Sequence, residues 1–253
     1  MHLDRHGRHS PAPRGATPWT VRQAPAAPAI APPLDTRYDI AWLGPDGTAR
    51  DAIRLGPSTP AFTLGFAAFA RGTLLPMPDG PVAVEDARPG DTIGTDGDGR
   101  RLLWKGGCIL HPGRRAVPLF RLAADALGAG RPSMDLVLGP AARIVMGDAS
   151  VPVADLADGM NIVRIAPASA VEVFHLGFDG PHRLSVNGLD VESFWPDPAA
   201  LPGQDGQALF LSMFPHLATA RAPALLADAV SPDPKRAFPA RRTAPPVRAL
   251  PPG

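Results

Sequence analysis

The sequence predicts an all-β fold with an internal duplication, and three observations support this prediction. Short runs rich in Val, Ile, Leu and Phe recur between clusters of turn residues. The 253 residues include 33 prolines and 26 glycines, which favour turns over long helices. Pairs of similar segments also follow one another in the same order along the chain. Many short strands at such spacing are typical of a sandwich or a closed β architecture.

The first predicted strand lies at residues 38–43, where apolar and polar residues alternate before a GPDG turn at 44–47. The turn clusters at 78–80 and 96–99 each precede a further predicted strand. Residues 123–128 are rich in alanine and predict a brief turn of helix, ended by a glycine. The other predicted strands are residues 82–84, 102–104, 117–122, 136–138, 144–146, 151–153, 162–163, 171–176 and 184–186.

An amphipathic helix is predicted after the last strand. Leu209, Phe210, Met213, Phe214 and Leu217 fall on one helical face. We expect this helix to cover an exposed edge of the sheet, and the alternative is that it binds a partner.

The internal repeat consists of two ordered pairs of segments. Residues 82–91 (VAVEDARPGD) are echoed by residues 151–160 (VPVADLADGM), each reading as a strand, an acidic turn and a glycine. Residues 117–122 (VPLFRL) are echoed by residues 171–176 (VEVFHL). The repeat predicts a duplicated β subunit whose copies pack on each other, because each copy buries an apolar face it could not bury alone.

Composition divides the chain into a central region between two arms. Pro, Ala and Arg dominate residues 1–35, and Pro and Arg dominate residues 222–253, so neither arm can build a packed core. We expect both arms to be disordered; a proline-rich docking peptide or a weak polyanion-binding tail is the alternative. Between the arms we place a leading β segment and linker at 36–67, an all-β domain at 68–198 and a short helical segment at 199–221.

Charge and cysteine content exclude several classes of function. The formal charge of +1 comes from 25 basic and 24 acidic side chains, so no overall field favours nucleic acid or an anionic membrane. The single cysteine, Cys108, excludes an internal disulfide framework and a zinc site of paired thiols. The charged start does not read as a secretory signal, and no apolar stretch is long enough to span a bilayer. We therefore expect a soluble, cytoplasmic protein without a cofactor or a metal, which meets protein partners through its arms.

Three motifs follow one another in the central region. The first joins FARGTLL at 69–75 to the 82–91 segment, the second is DLVLGPAARIV at 135–145, and the third joins VFHLGFD at 173–179 to ESF at 192–194. Together they resemble the motifs of the bacterial Hint domains, which are related to Hedgehog autoprocessing domains and inteins. That family opens with Cys-Phe-x-x-Gly-Thr and continues with Leu-x-Val-Ser-Pro-x-His-Arg-Val. The sequence thus resembles a degenerate member of the Hint family over residues 68–198.

The resemblance implies both a fold and a chemistry. The implied fold is a horseshoe-shaped all-β unit with pseudo-twofold symmetry, in agreement with the internal repeat. In the implied chemistry, a cysteine or serine attacks the preceding carbonyl and converts an amide into a thioester or ester. That step needs a nucleophile, a histidine that protonates the departing backbone nitrogen, and polar groups that stabilise the oxyanion.

The sequence departs from the family pattern at three positions. Ala68 occupies the nucleophile position, directly before Phe69, and Ala142 occupies the histidine position, directly before Arg143. Trp195 stands where the family's closing motif usually has a histidine. With the attacking group and the proton donor both missing, we expect no acyl shift at the junction between residues 67 and 68.

Two residues are candidates for a displaced nucleophile. Thr73 carries a hydroxyl near the opening strand, but it matches the Gly-Thr pair of the motif, where the threonine usually makes a structural hydrogen bond. Cys108 is the one thiol, and a thiolate would be the best nucleophile at neutral pH. It lies away from the reactive junction in sequence, and we expect it to be buried and inert.

His175, Asp179 and His182 match positions where the family carries similar residues. A carboxylate near imidazoles could orient a ring or hold a metal or small ligand, although the spacing of the histidines is loose for a metal site. We expect His175 to lie inside the fold and His182 at a surface turn. The other histidines are expected mostly in tails or loops without forming a constellation: His2, His6, His9, His111 and His216.

The sequence therefore favours a Hint-type protein that cannot cleave or splice itself and serves as a structural or interaction module. One alternative is an autoproteolytic domain that uses Cys108 or Thr73. The other is a module that binds a metal or a small ligand near His175, Asp179 and His182.

Overall fold

The computed structural model describes residues 33–95, 99–113, 117–196 and 204–219, the last range without the side chains of 204–207, 218 and 219. All of them belong to one structural unit, residues 32–253. The two predicted arms lie outside the described residues, apart from residues 33–35. The described chain is built mainly of strands, so the all-β prediction is confirmed.

Sixteen strands and three short α-helices form within the described residues. The strands are β1 Thr36–Leu43, β2 Ala49–Gly56, β3 Phe69–Ala70, β4 Leu74–Leu75, β5 Val82–Ala83, β6 Thr92–Ile93, β7 Arg100–Arg101, β8 Trp104–Leu110, β9 Leu119–Leu122, β10 Leu136–Leu138, β11 Arg143–Met146, β12 Ala149–Pro152, β13 Ile162–Ile165, β14 Val171–Gly177, β15 Arg183–Val186 and β16 Leu189–Glu192. The helices are α1 Pro60–Thr63, α2 Gln204–Met213 and α3 His216–Thr219.

The largest sheet has eight antiparallel strands in the order β13-β9-β10-β3-β14-β8-β1-β2. Between its third and fourth strands, Leu138 of β10 pairs with Phe69 of β3. A second sheet has the order β12-β11-β16-β15, and two small hairpins pair β4 with β5 and β6 with β7.

The strand order of the large sheet displays the internal duplication. The first six strands have the order β13-β9-β10-β3-β14-β8. This order becomes its own reverse when β3 is exchanged with β10, β8 with β13 and β9 with β14. This is the symmetry of a twofold axis between β10 and β3. The echoed sequence segments contain β9 and β14, which this exchange relates, so the predicted pseudo-twofold duplication is confirmed.

The segment 36–67 extends the same sheet. The hairpin of β1 and β2 joins it through β8, where Tyr38 lies opposite Cys108 and Trp42 lies opposite Trp104. Tyr38 is fully buried and its hydroxyl donates a hydrogen bond of 2.9 Å to the carbonyl of Pro57. The leading segment thus shares a core with the strands that follow it.

The helix predicted at residues 123–128 does not form, and this prediction was wrong. The segment consists of turns, with a bridge between Ala126 and Gly128. Asp125 has a φ of 62°, which is incompatible with a right-handed helix. The Asp135 carboxylate also accepts the N–H of Ala124 at 3.0 Å, which holds the backbone in a turn.

The helix predicted around residues 209–217 forms as two pieces, α2 and α3, but it does not cover a sheet edge as expected. Phe210, Met213, Phe214 and Leu217 are buried in an apolar cluster with side chains of the inner strands β1, β8 and β14. The indole N–H of Trp104 donates to the carbonyl of Met213 at 2.9 Å. The helices therefore pack on one face of the large sheet, because that face presents large aromatic side chains. Of the helices in the described part of the chain, none has the length and apolar character needed to cross a membrane.

Candidate functional site

The junction between Ala67 and Ala68 lies where the chain leaves α1 and enters β3. The carbonyl of Ala67 accepts the N–H of Ala141 at 2.9 Å, and the N–H of Ala68 donates to the carbonyl of Phe174 at 3.0 Å. The carbonyl of Ala68 accepts the N–H of Gly139 at 2.8 Å. The turn after β10 and the strand β14 thus hold this peptide unit on both sides.

Ala68 and Ala142 are both fully buried in the same apolar cluster. Ala142 follows the turn that contacts the junction, and its N–H donates to the carbonyl of Gly139 at 3.1 Å. The fold therefore brings the two substituted positions to the junction region. Their methyl groups can neither attack a carbonyl nor transfer a proton.

Thr73 is buried, and its hydroxyl donates a hydrogen bond of 2.7 Å to the carbonyl of Ala70. Its carbonyl accepts the N–H of Val84 at 2.8 Å, which ties the turn after β3 to β5. The hydroxyl is thus engaged in a structural hydrogen bond.

Cys108 lies within the large sheet, opposite Tyr38 of β1 and Val173 of β14. It is buried, and burial raises the pKa of its thiol to about 12. Strand β14 separates it from β3, because Val173 pairs with Ala70 on its other side. At neutral pH this thiol is protonated and one full strand away from the opening strand.

His175, Asp179 and His182 do not come together in one site. His175 is 4% exposed, Asp179 is exposed, and His182 is half-buried with its ring against Phe178. His175 and His182 line two different cavities. Among the described residues no three His, Cys, Asp or Glu side chains lie close enough together to hold a metal ion.

The His175 ring is held by aromatic neighbours. Phe69 and Phe194 contact it edge-on, with ring centroids at 6.0 Å and 5.5 Å. Its Nδ1 accepts the N–H of Leu176 at 3.1 Å. Burial lowers the pKa of His175 to about 3, so the ring is neutral at physiological pH.

His216 was expected to lie in a tail or loop, away from any constellation, and this expectation was wrong. It is 1% exposed and stacks on Trp104 with centroids 5.2 Å apart. Burial, and secondarily the neighbouring His175, lowers its pKa to about 3. One feature of the sequence could have indicated that His216 is buried, because this residue directly precedes Leu217 of the apolar helical face.

A cleft of about 540 Å³ opens beside the junction. It lies between α1, the turn after β10 and the segment that follows β16. Its wall includes Trp195, which occupies the third position at which this sequence departs from the family pattern. Five further residues of the wall are Pro60, Ala61, Ala141, His175 and Phe194.

A duplicated all-β domain with a buried junction before β3 is the arrangement expected of the Hint class. A family model described as "Hint domain" matches residues 67–198, more than half of the chain. The chain therefore belongs to the Hint domain family.

Among solved structures, the chain is similar to the bacterial intein-like domain from Clostridium thermocellum, determined in solution. The two share 17% identity with a TM-score of 0.38, over 51% of this chain and 99% of that chain. A search of curated proteins finds no match.

Proposed function

We propose that this Hint domain does not cleave or splice its own backbone and serves as a folded interaction module. The observation that carries the proposal is the pair of fully buried alanines, Ala68 and Ala142, at the two positions that would hold the nucleophile and the proton donor. Without a nucleophile no covalent intermediate can form at the junction.

The backbone around the junction supports a retained scaffold. The N–H of Ala141 still donates to the Ala67 carbonyl, and Thr73 still closes the turn after β3. These contacts stabilise the fold whether or not any chemistry follows. In this proposal the protein acts in the cytoplasm and binds protein partners through its proline-rich arms.

A displaced nucleophile is a weaker candidate function. The Thr73 hydroxyl is committed to the Ala70 carbonyl, and the Cys108 thiol has a pKa of about 12. A thiolate fraction of about one in 10⁵ at pH 7 follows from that pKa. Neither residue is thus a ready nucleophile.

Intact mass spectrometry of the purified full chain tests the proposal. The protein is incubated for several days with and without dithiothreitol, which would intercept a thioester or ester. We expect one mass, that of the uncleaved chain, in both samples. A pair of fragments that divide between residues 67 and 68 would overturn the proposal.

The same measurement addresses the displaced nucleophile through Cys108→Ala and Thr73→Ala. If the unchanged protein released fragments and one of these variants did not, that residue would be the nucleophile. Thr73→Ser is the matched control, because it keeps the hydroxyl while changing the side chain.

A further inference from the structure

The cleft beside the junction has the size and lining of a small-molecule site. Its volume of about 540 Å³ lies within the range of about 300–1,000 Å³ that such sites occupy. Apolar groups from Ala61, Leu64, Phe194 and Trp195 form much of its wall. An apolar molecule would therefore gain contact area in it.

One polar group in the wall, the Nε2 nitrogen of His175, is available as a hydrogen-bond donor. The Nδ1 of His175 accepts the Leu176 N–H, so the proton of the neutral ring is on Nε2. Among the described residues no acceptor lies within hydrogen-bond distance of Nε2, and this nitrogen is not one of the fully buried atoms, so it can meet a molecule in the cleft that His175 lines. A small number of polar groups in a mostly apolar wall fix the orientation of a ligand, and this N–H would do so by donating to an acceptor on the bound molecule.

The charges of the wall are balanced. Of the described residues lining the cleft, Arg143 and Glu192 carry charge, and their Nε and Oε2 atoms are 3.3 Å apart. The Arg143 guanidinium also donates to the hydroxyl and carbonyl of Ser150, at 2.9 Å and 2.6 Å. A charged ligand would have to compete with this ion pair, so the wall favours an uncharged one.

We propose that the cleft binds an uncharged, largely apolar small molecule whose oxygen accepts a hydrogen bond from Nε2 of His175. A ketone, an amide or an ester on an aromatic or aliphatic body has this chemistry. The site goes beyond the proposed function, because it would exist whether or not the junction reacts.

Two fluorescent probes test the proposal on the full chain. The first is 6-propionyl-2-(dimethylamino)naphthalene, an uncharged dye with a ketone, and the second is 6-propyl-2-(dimethylamino)naphthalene, in which a methylene group replaces the ketone carbonyl. We expect saturable binding of the first dye at one site per chain, with blue-shifted emission. We also expect the ketone dye to bind about fivefold more tightly than the other, the equivalent of one hydrogen bond.

Two substitutions locate the dye. Ala61→Trp places an indole in the cleft and should abolish binding of both dyes. Met160→Trp is the matched control at a position that is 83% exposed, and it should leave binding unchanged. His175→Phe keeps an aromatic ring but has no N–H donor, and it should remove the preference for the ketone dye while the other dye binds as before. Circular dichroism and thermal unfolding confirm that each variant is folded.

Three results would each overturn the proposal. The first is the absence of saturable binding to the unchanged protein. The second is equal binding to a folded Ala61→Trp variant, which would place the dye elsewhere. The third is an equal affinity of the two dyes for the unchanged protein, which would show without any substitution that His175 donates no hydrogen bond.

Discussion

Gly139 lies so close to Ala67 that a Cβ atom on Gly139 would stand 2.2 Å from the Ala67 carbonyl oxygen. The same atom would stand 2.7 Å from the carbonyl carbon of Ala67. Both distances are shorter than any ordinary nonbonded contact, so the backbone of the turn after β10 touches the junction directly. The second motif of the Hint family has a serine at the position of Gly139. In this protein the absence of a side chain at Gly139 permits the close approach to Ala67.

Gly139→Ala should destabilise the protein by about 1–3 kcal/mol, the usual cost of overpacking a rigid site. The added methyl would press on backbone atoms, which cannot rotate away, and would disturb the hydrogen bond from Gly139 N–H to the Ala68 carbonyl. Urea unfolding monitored by circular dichroism measures the change. Gly180→Ala is the control, because a Cβ there meets nothing within 4 Å. Equal stability of the two variants would contradict the close approach.

Ala68→Cys combined with Ala142→His should restore thiol-induced cleavage between residues 67 and 68. The pair supplies the nucleophile and the proton donor together, whereas each single substitution supplies one of them and should leave the chain intact. Both positions are fully buried, so we expect the larger side chains to cost about 1–3 kcal/mol each. Intact mass over time, with and without dithiothreitol, measures cleavage. A folded double variant that stays intact would show that supplying these two groups is not sufficient for cleavage.

The buried histidines should make the protein unstable in acid. His175 and His216 have native pKa values of about 3, below the ordinary value of 6.5. Their contribution to stability is complete above pH 6.5, and it is lost as the pH falls from 6.5 towards 3, because the unfolded state then binds protons that the native state excludes. Each histidine adds a slope of up to about 1.4 kcal/mol per pH unit in that window.

His216→Phe should therefore reduce this slope by up to about 1.4 kcal/mol per pH unit while keeping a ring against Trp104. Urea unfolding at several pH values within the window measures the slope for each protein. His111→Phe, which changes an exposed histidine, is the control and should leave the slope as it is. An unchanged slope in the His216 variant would mean that the ring is protonated in the native state.

Phe214→Ala should destabilise the protein by about 3–5 kcal/mol, the range for removing a buried phenylalanine. Phe214 is fully buried, and its ring centroid lies 4.5 Å from that of Phe194 and 5.0 Å from that of Trp104. Met134→Ala is the control at a half-exposed position and should change stability by less than about 0.5 kcal/mol. Denaturant unfolding measures both. A small effect at Phe214 would show that the helices after residue 203 do not stabilise the sheet.

The strands were predictable wherever local pattern and final environment agree. The alternation at residues 38–43 became β1, and the apolar run at 171–176 became β14 in the centre of the sheet. Alternating or apolar β-branched runs suit a pleated, partly buried surface, which is why composition was sufficient there.

The failures of the sequence-based predictions have long-range causes. The alanines at 123–128 favour a helix locally. However, the Asp135 carboxylate accepts a hydrogen bond from the N–H of Ala124, and the backbone of Asp125 adopts a left-handed conformation. The burial of His216 depends on α3 packing against Trp104, from a strand far away in sequence. The cleft beside the junction is likewise lined by α1, the turn after β10 and the segment that follows β16. These segments are distant in sequence, so no local sequence pattern predicts that they line one cleft.

The reversal of the strand order under the exchange of repeats constrains how this protein is made. Strand β9 from the first repeat lies between β10 and β13 of the second, while β14 from the second lies between β3 and β8 of the first. During synthesis on the ribosome, β3 and β8 therefore have no strand to join them until β14 has left the exit tunnel. The sheet must close late, through pairings between distant parts of the chain, and such topologies fold slowly. Until β14 is available, β3 and β8 each keep one unpaired edge, to which chaperones would have time to bind.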